Sequence, residues 1–121
     1  MHLHVRQVIW LGDSRKKMQE FAKKVRSDMG SALFVAQCGD MAMHVKPFKG
    51  VGSGVFEITE RYSKDNYRLV YGVQLGTKIY VLHAFQKKSK SGIATPKPDV
   101  DLIKRRYKDA QEHAKHDTEE D

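Results

Sequence analysis

Two groups of residues in this sequence are placed where they could do chemistry on an anion. The first is Arg68, inside the apolar run Tyr67-Arg-Leu-Val-Tyr71. Strand periodicity puts Tyr67, Leu69, Tyr71 and Val73 on one face, and Arg68 on the other with Val70 and Gly72. An arginine there costs desolvation unless its guanidinium is paired or faces a groove. The plain alternatives are a sheet carboxylate such as Glu57, or solvent. The second group is Phe85-Gln-Lys-Lys-Ser-Lys90, which leaves an apolar strand. Lys87, Lys88 and Lys90 suit phosphate contacts and Phe85 suits stacking on a base. A lysine cluster can equally be a solvated loop that blunts a sheet edge. His83 is the histidine near these lysines. By alternation it shares a face with Val81 and Phe85, so a packed or edge histidine and a proton acceptor are both open.

Other patterns carry less. Gly50-Val-Gly-Ser-Gly54 lacks the Gly-Lys-Ser/Thr of a phosphate-binding loop and reads as a turn. His2 with His4, or His113 with His116, have too few partners for a metal, so no metal site and no cofactor are expected. Glu57 and Glu60 fall on opposite strand faces and do not form an acid–base pair. Cys38 is the single cysteine, expected in the core.

The elements that must position these residues follow from hydrophobic period and breakers. Val5–Trp10 reads as a first strand. Asp13 or Ser14 can cap a helix with the stripe Met18, Phe21, Ala22, Val25 and Met29, and Gly30 is placed to end it. A short second helix is expected from Ser31 to Gly39. Residues 40–54 read as a loop. Three strands follow, Val55–Tyr62, Tyr67–Gln74 and Lys78–Phe85, with turns expected at Asp65-Asn66 and Leu75-Gly76-Thr77. Pairing about Gly76 brings residue 68 beside residue 84 or 85, so Arg68 and Lys87/Lys88 could surround one phosphate. After Thr95-Pro-Lys-Pro98 a last helix carries the stripe Val100, Ile103, Tyr107, Ala110 and Ala114. The expected fold class is α+β: an antiparallel sheet, two N-terminal helices on one face and a C-terminal helix, with the other face partly open.

Length and charge bound the partners. A chain of 121 residues holds one domain, expected over 1–114, with an acidic, disordered tail over 115–121. The net charge of +7 divides unevenly: residues 112–121 carry −4 and the rest +11. Such a body attracts polyanions, nucleic acid first. The tail is expected to be solvated, the alternative being a contact with the basic body. No apolar run approaches a membrane span, and the N-terminal residues do not read as a signal peptide, so a cytoplasmic protein is expected.

Taken together, several segments resemble the phage-related toxin branch of the HigB/RelE/ParE superfamily. They are Leu11-Gly-Asp-Ser-Arg15, Gln37-Cys-Gly39, Val45-Lys-Pro-Phe-Lys-Gly50, Gly54-Val-Phe-Glu-Ile58, Tyr67-Arg-Leu-Val-Tyr71, Val81 to Lys90 and Gly92-Ile-Ala-Thr-Pro-Lys97. The resemblance covers roughly residues 5–114, and it rests on the ordered set more than on any one motif. It implies a compact RelE-like microbial RNase fold, a cognate helix-turn-helix antitoxin as partner, and cleavage of mRNA, usually at the ribosome. Arg68 would then hold the scissile phosphate, with Lys87 and Lys88 stabilising charge or moving protons and His83 as the reserve base. Phe85, Lys90, Arg61 and Tyr71 would contact RNA. Thr59 departs from a basic residue common in relatives, and Arg61, two residues on and on the same face, could replace it. RNA supplies its own nucleophile, the 2′-hydroxyl, so metal-independent cleavage is the expectation. The alternatives are a ParE-like gyrase inhibitor without nuclease activity, and an inactive RNA-binding relative.

Overall fold

The computed structural model describes residues 4–87 and 94–117 of the chain. In chain order the elements are β1 (Val8–Trp10), α1 (Ser14–Gln19), α2 (Lys23–Gln37), β2 (Val45–Pro47), β3 (Val55–Tyr62), β4 (Asp65–Leu75), β5 (Lys78–Lys87) and α3 (Lys97–Lys115). They build a five-stranded sheet in the order β1-β5-β4-β3-β2. The class is α+β, as expected, but the sheet is mixed. β2, β3, β4 and β5 pair antiparallel, whereas β1 lies parallel to β5, Val8 opposite Ile79 and Trp10 opposite Val81. A short hairpin forces antiparallel pairing. The long excursion between β1 and β5 does not, and it leaves room for the parallel arrangement.

Both faces of the sheet are covered, which corrects the expectation of one open face. On the first face Val25, Met29, Leu33 and Ala36 of α2 pack on Ile58, Leu69, Tyr71, Ile79, Val81 and Ala84. On the second, Ile103 and Ala110 of α3 pack with Val70, Tyr80, Leu82 and Phe85. Strands β4 and β5 therefore bury side chains on both sides, which is why their sequences are nearly continuously apolar. Met29 has no exposed surface. Met29→Ala should lower stability by about 2–5 kcal/mol, read as a drop in the urea midpoint at unchanged slope.

The N-terminal helices break elsewhere than expected. α1 ends at Gln19, and Ala22, with φ −56° and ψ 148°, starts α2. The break sets Phe21 edge-on to Tyr67, ring centroids 5.0 Å apart. Gly30 does not stop α2; a Cβ there would meet nothing within 4 Å. A helical glycine costs about 1 kcal/mol against alanine, which the packed face of α2 outweighs. The stop is Gly39, at φ +89°.

Two further differences matter for the site. Residues 40–54 contain a strand, β2, with Lys46 opposite Glu57. Its Pro47 is tolerated because β2 is at the sheet edge. The β3–β4 turn is Ser63-Lys64, both at positive φ, so Asp65 and Asn66 already belong to β4. The α3 stripe is as expected, Ile103 and Ala110 being buried and Val100, Tyr107 and Ala114 packed beside them. The helix includes Lys115, and just past it Asp117 pairs with Lys78, so the segment expected to be a disordered, solvated tail begins as helix and touches the body at Asp117; residues 118–121 lie outside the described residues. No described helix is long and apolar enough to cross a membrane.

Candidate functional site

The second sheet face carries a polar cluster toward the end where β3 and β4 meet. Cross-strand register arranges it in rows. Lys46, Glu57, Val70 and His83 form one row, Thr59, Arg68 and Phe85 the next, and Asn66 and Lys87 face each other with Arg61 opposite Asn66. Arg68 lies opposite Phe85, as the pairing about Gly76 predicts. Rows of a pleated face are about 7 Å apart, so side chains reach diagonally between them.

Arg68 does so. Its Nη1 donates to Glu57 Oε2 at 2.8 Å, and the two residues are 7% and 3% exposed. The sheet carboxylate is therefore the partner of the guanidinium. Lys46 Nζ lies 3.9 Å from Glu57 Oε1 and is itself solvent-exposed. Lys87 is buried at 8% exposure. Burial pushes its ammonium below the ordinary 10.5, Arg68 and Lys46 push the same way, and Glu57 opposes them.

Charge and hydrogen-bond bookkeeping at this cluster do not close. One carboxylate, Glu57, faces three cations: Arg68, Lys87 and Lys46. Among the described residues, Thr59 Oγ1, Arg68 Nε and Lys87 Nζ are buried without a hydrogen-bond partner, and so is His83 Nδ1. Three of these four atoms can donate, and they come from adjacent strands of one face. Buried donors and uncompensated positive charge are both costly unless an anion answers them. The constellation is thus chemically suited to a phosphoryl oxyanion, with open ground on both flanks. On the β2–β3 side a groove of about 520 Å³ is lined by His44, Lys46, Thr59, Arg61 and Asn66. Along β5 a cavity of about 410 Å³ is lined by Lys17, Glu20, His83, Phe85, Gln86 and Asp99.

His83 reaches this face through an irregularity. The β4–β5 register passes from Tyr71 opposite Val81 to Val70 opposite His83, which leaves Leu82 as an extra residue. Strict alternation would keep His83 with Val81, but Val81 packs on the first face. The bulge turns His83 toward the second, where its ring stacks on Phe85 with centroids 4.9 Å apart. His83 Nε2 sits 2.8 Å from Asp99 Oδ1. Burial lowers the His83 pKa from its ordinary value, against the raising effect of Asp99.

The structure thus gathers Arg68, Lys87 and His83 on one face, with Arg61 at its exposed rim. Phe85 joins them but is 8% exposed and spends its ring on His83, so it offers little surface to a base. Tyr71 does not join them. It is 1% exposed on the opposite face, beside Phe56, and burial pushes its hydroxyl up to about 12, so an RNA contact at Tyr71 is corrected to a place in the core. Lys88 and Lys90 lie outside the described residues. The sequence reading missed Lys46, Asn66 and Asp99, and met Glu57 only as an alternative partner. Only Glu57 had a signal, an acid in an apolar strand. Among the described residues no group of three or more histidine, cysteine or acidic side chains comes together as a metal site would require.

Comparison with known proteins gives three results. No curated protein matches this chain. Among solved structures, the RelBE2 toxin–antitoxin complex from Mycobacterium tuberculosis contains a chain that is 17% identical, with a TM-score of 0.48. The alignment covers 69% of this chain and 99% of that one. The family described as phage-derived protein Gp49-like matches residues 16–108, most of the chain, and to that family the protein belongs.

Proposed function

We propose that this protein is the toxin of a toxin–antitoxin pair and acts as a metal-independent endoribonuclease on mRNA, at the ribosome, to arrest translation. The observation that carries the reading is the set of buried, unpartnered donors on β3, β4 and β5, gathered around a single carboxylate. The basic body supplies long-range attraction to RNA, and the ordered resemblance to the HigB/RelE/ParE toxins points the same way. The partner is a helix-turn-helix antitoxin. The domain is taken as residues 1–114.

The chemistry uses the substrate's own nucleophile. The 2′-oxygen attacks phosphorus, the phosphorus–5′-oxygen bond breaks, and the products are a 2′,3′-cyclic phosphate and a 5′-hydroxyl. Arg68, its Nη1 tied to Glu57, presents Nε and its remaining edge to the non-bridging oxygens. Lys87 adds charge as the pentacovalent phosphate forms and, with its lowered pKa, donates a proton to the leaving 5′-oxygen. Lys46 and Arg61 line the flanking groove for neighbouring phosphates; Lys88 shares charge stabilisation with Lys87, and Lys90 is an RNA contact. Proton transfer from the 2′-hydroxyl falls to His83.

Adding purified protein to a translating extract and mapping RNA 5′ ends tests the reading. Wild type should cut mRNA within codons, and Arg68→Ala should cut about a hundredfold more slowly or worse. Intact mRNA with normal peptide output would sink it. Poisoned gyrase supercoiling without RNA cleavage would replace it with the gyrase-inhibitor reading.

A further inference from the structure

Resting on the cleavage reading above, we propose that Asp99 and Arg106 of α3 are positioning residues that act through His83, holding it to take the 2′-hydroxyl proton on Nδ1. Nothing in the sequence pointed to either residue. On α3 they are seven apart, two turns, so they share one helix face. Asp99, in the first turn, meets His83 Nε2 at 2.8 Å. Arg106 Nη1 donates to the carbonyl of Leu82 at 3.0 Å, and Nη2 to Asp13 Oδ1 at 2.7 Å. Leu82 is the bulge residue that turns His83 onto the sheet face that also carries Arg68. One helix face thus holds both the ring and the backbone irregularity that aims it.

The approach of Arg106 is built into the chain. Gly12 lies at φ +54°, and a Cβ there would come within 2.5 Å of the guanidinium. Leaving that space open lets Arg106 reach across to Asp13 and Leu82.

The hydrogen bond also sets the proton inventory of the ring. A carboxylate accepts, so Nε2 carries the hydrogen and Nδ1 keeps its lone pair. Nδ1 is buried without a partner, and Phe85 stacks on the ring and restrains its rotation. The charged groups around His83 are Asp99 and Arg106 on α3, Asp13 before α1, and Lys17 and Glu20 lining the adjoining cavity. In the step itself the 2′-hydroxyl proton passes to Nδ1 as the 2′-oxygen bonds to phosphorus. Lys87 protonates the departing 5′-oxygen, and proton return from His83 to Lys87 resets the site.

Two readouts test this on the full chain: the pH profile of RNA cleavage, and the His83 tautomer by long-range ¹H–¹⁵N NMR. Wild type should hold the Nε2–H tautomer. Asp99→Asn presents a side chain that can donate as well as accept, so His83 should populate both tautomers and the cleavage rate should fall about tenfold to a hundredfold at unchanged KM. With the raising influence of Asp99 gone, the acid limb of the profile should move to lower pH. Arg106→Gln should lower the rate similarly while keeping the tautomer, because it loosens the bulge and leaves Asp99 in place. Wild-type rate, acid limb and tautomer in Asp99→Asn would overturn the proposal. No RNA cleavage by wild type would overturn the cleavage reading and the role of His83 with it; the tautomer, measured in the same sample, shows whether Asp99 orients the ring regardless.

Discussion

Glu57→Ala should unfold at a much lower urea concentration than wild type, a loss of about 3–5 kcal/mol. Glu57 is 3% exposed and is the carboxylate bonded to Arg68. Its removal leaves Arg68 and Lys87, both buried, without the carboxylate that opposes their charge among the described residues. Glu57→Ala/Arg68→Ala, which removes the pair together, should recover part of that loss, because no buried guanidinium remains uncompensated. With Arg68→Ala measured alone as the fourth corner, the cycle gives the coupling energy of the pair. On the proposed reading RNA cleavage should behave oppositely: it should fall in Glu57→Ala, where Arg68 loses its tether, and fall further in the double variant, where the proposed phosphate contact is removed. Equal stability of Glu57→Ala and wild type would mean that the Arg68–Glu57 bond carries no net weight in the fold.

Lys87→Met should separate stability from activity. The substitution keeps a long, flexible chain and removes an ammonium that has no hydrogen-bond partner among the described residues. Stability should rise by on the order of 1–2 kcal/mol at neutral pH, while the cleavage rate falls about a hundredfold. The pH dependence of the gain follows from the direction of the Lys87 shift. Its folded-state pKa lies below the ordinary 10.5 of the unfolded chain, so folding disfavours the charged form. That penalty is fully present below the folded pKa and fades as pH rises toward 10.5, where the unfolded lysine also loses its proton. The stability advantage of Lys87→Met should therefore be largest at neutral pH and shrink in alkaline buffer. An advantage that grows with pH would contradict the burial argument. A stabilised, inactive variant would show that the buried lysine serves the site at the expense of the fold.

Much of the frame was legible in the chain itself. The apolar alternation of Val55–Tyr62 marks β3 residue for residue, and the Leu75-Gly76-Thr77 turn sets the β4–β5 pairing. From these the proximity of Arg68 and Phe85 follows, because a tight turn leaves the register little freedom. The α3 stripe was equally plain, since an apolar face at helical period has one way to bury itself. Local signals failed where long-range packing outweighs them. Gly30 reads as a helix stop, yet the buried face of α2 carries the helix through it. β2 hides among breakers because three residues at a sheet edge need only a partner strand. The parallel β1–β5 pair joins residues some seventy positions apart, beyond any local pattern.

For the site, residue types named the anion chemistry, and only the tertiary structure decided how the groups divide it. Period two separated Arg68 from Tyr71 in principle, and burial on the far face then removed Tyr71 from the surface. The bulge at Leu82 is invisible to alternation, yet it turns His83 to the second sheet face and away from Val81. Asp99 and Arg106 belong to a helix whose sequence shows no more than an amphipathic face; their roles exist because α3 crosses β5 where that bulge lies. The composition and ordered segments of this chain determined a basic α+β domain with a strand arginine beside Lys87, which the structure places at the end of β5. Three-dimensional packing decided which of those charges are buried, which one is paired with Glu57, and which donors are left for an anion. Desolvation depends on what covers a group from every side, and that is a property of the fold rather than of any stretch of sequence.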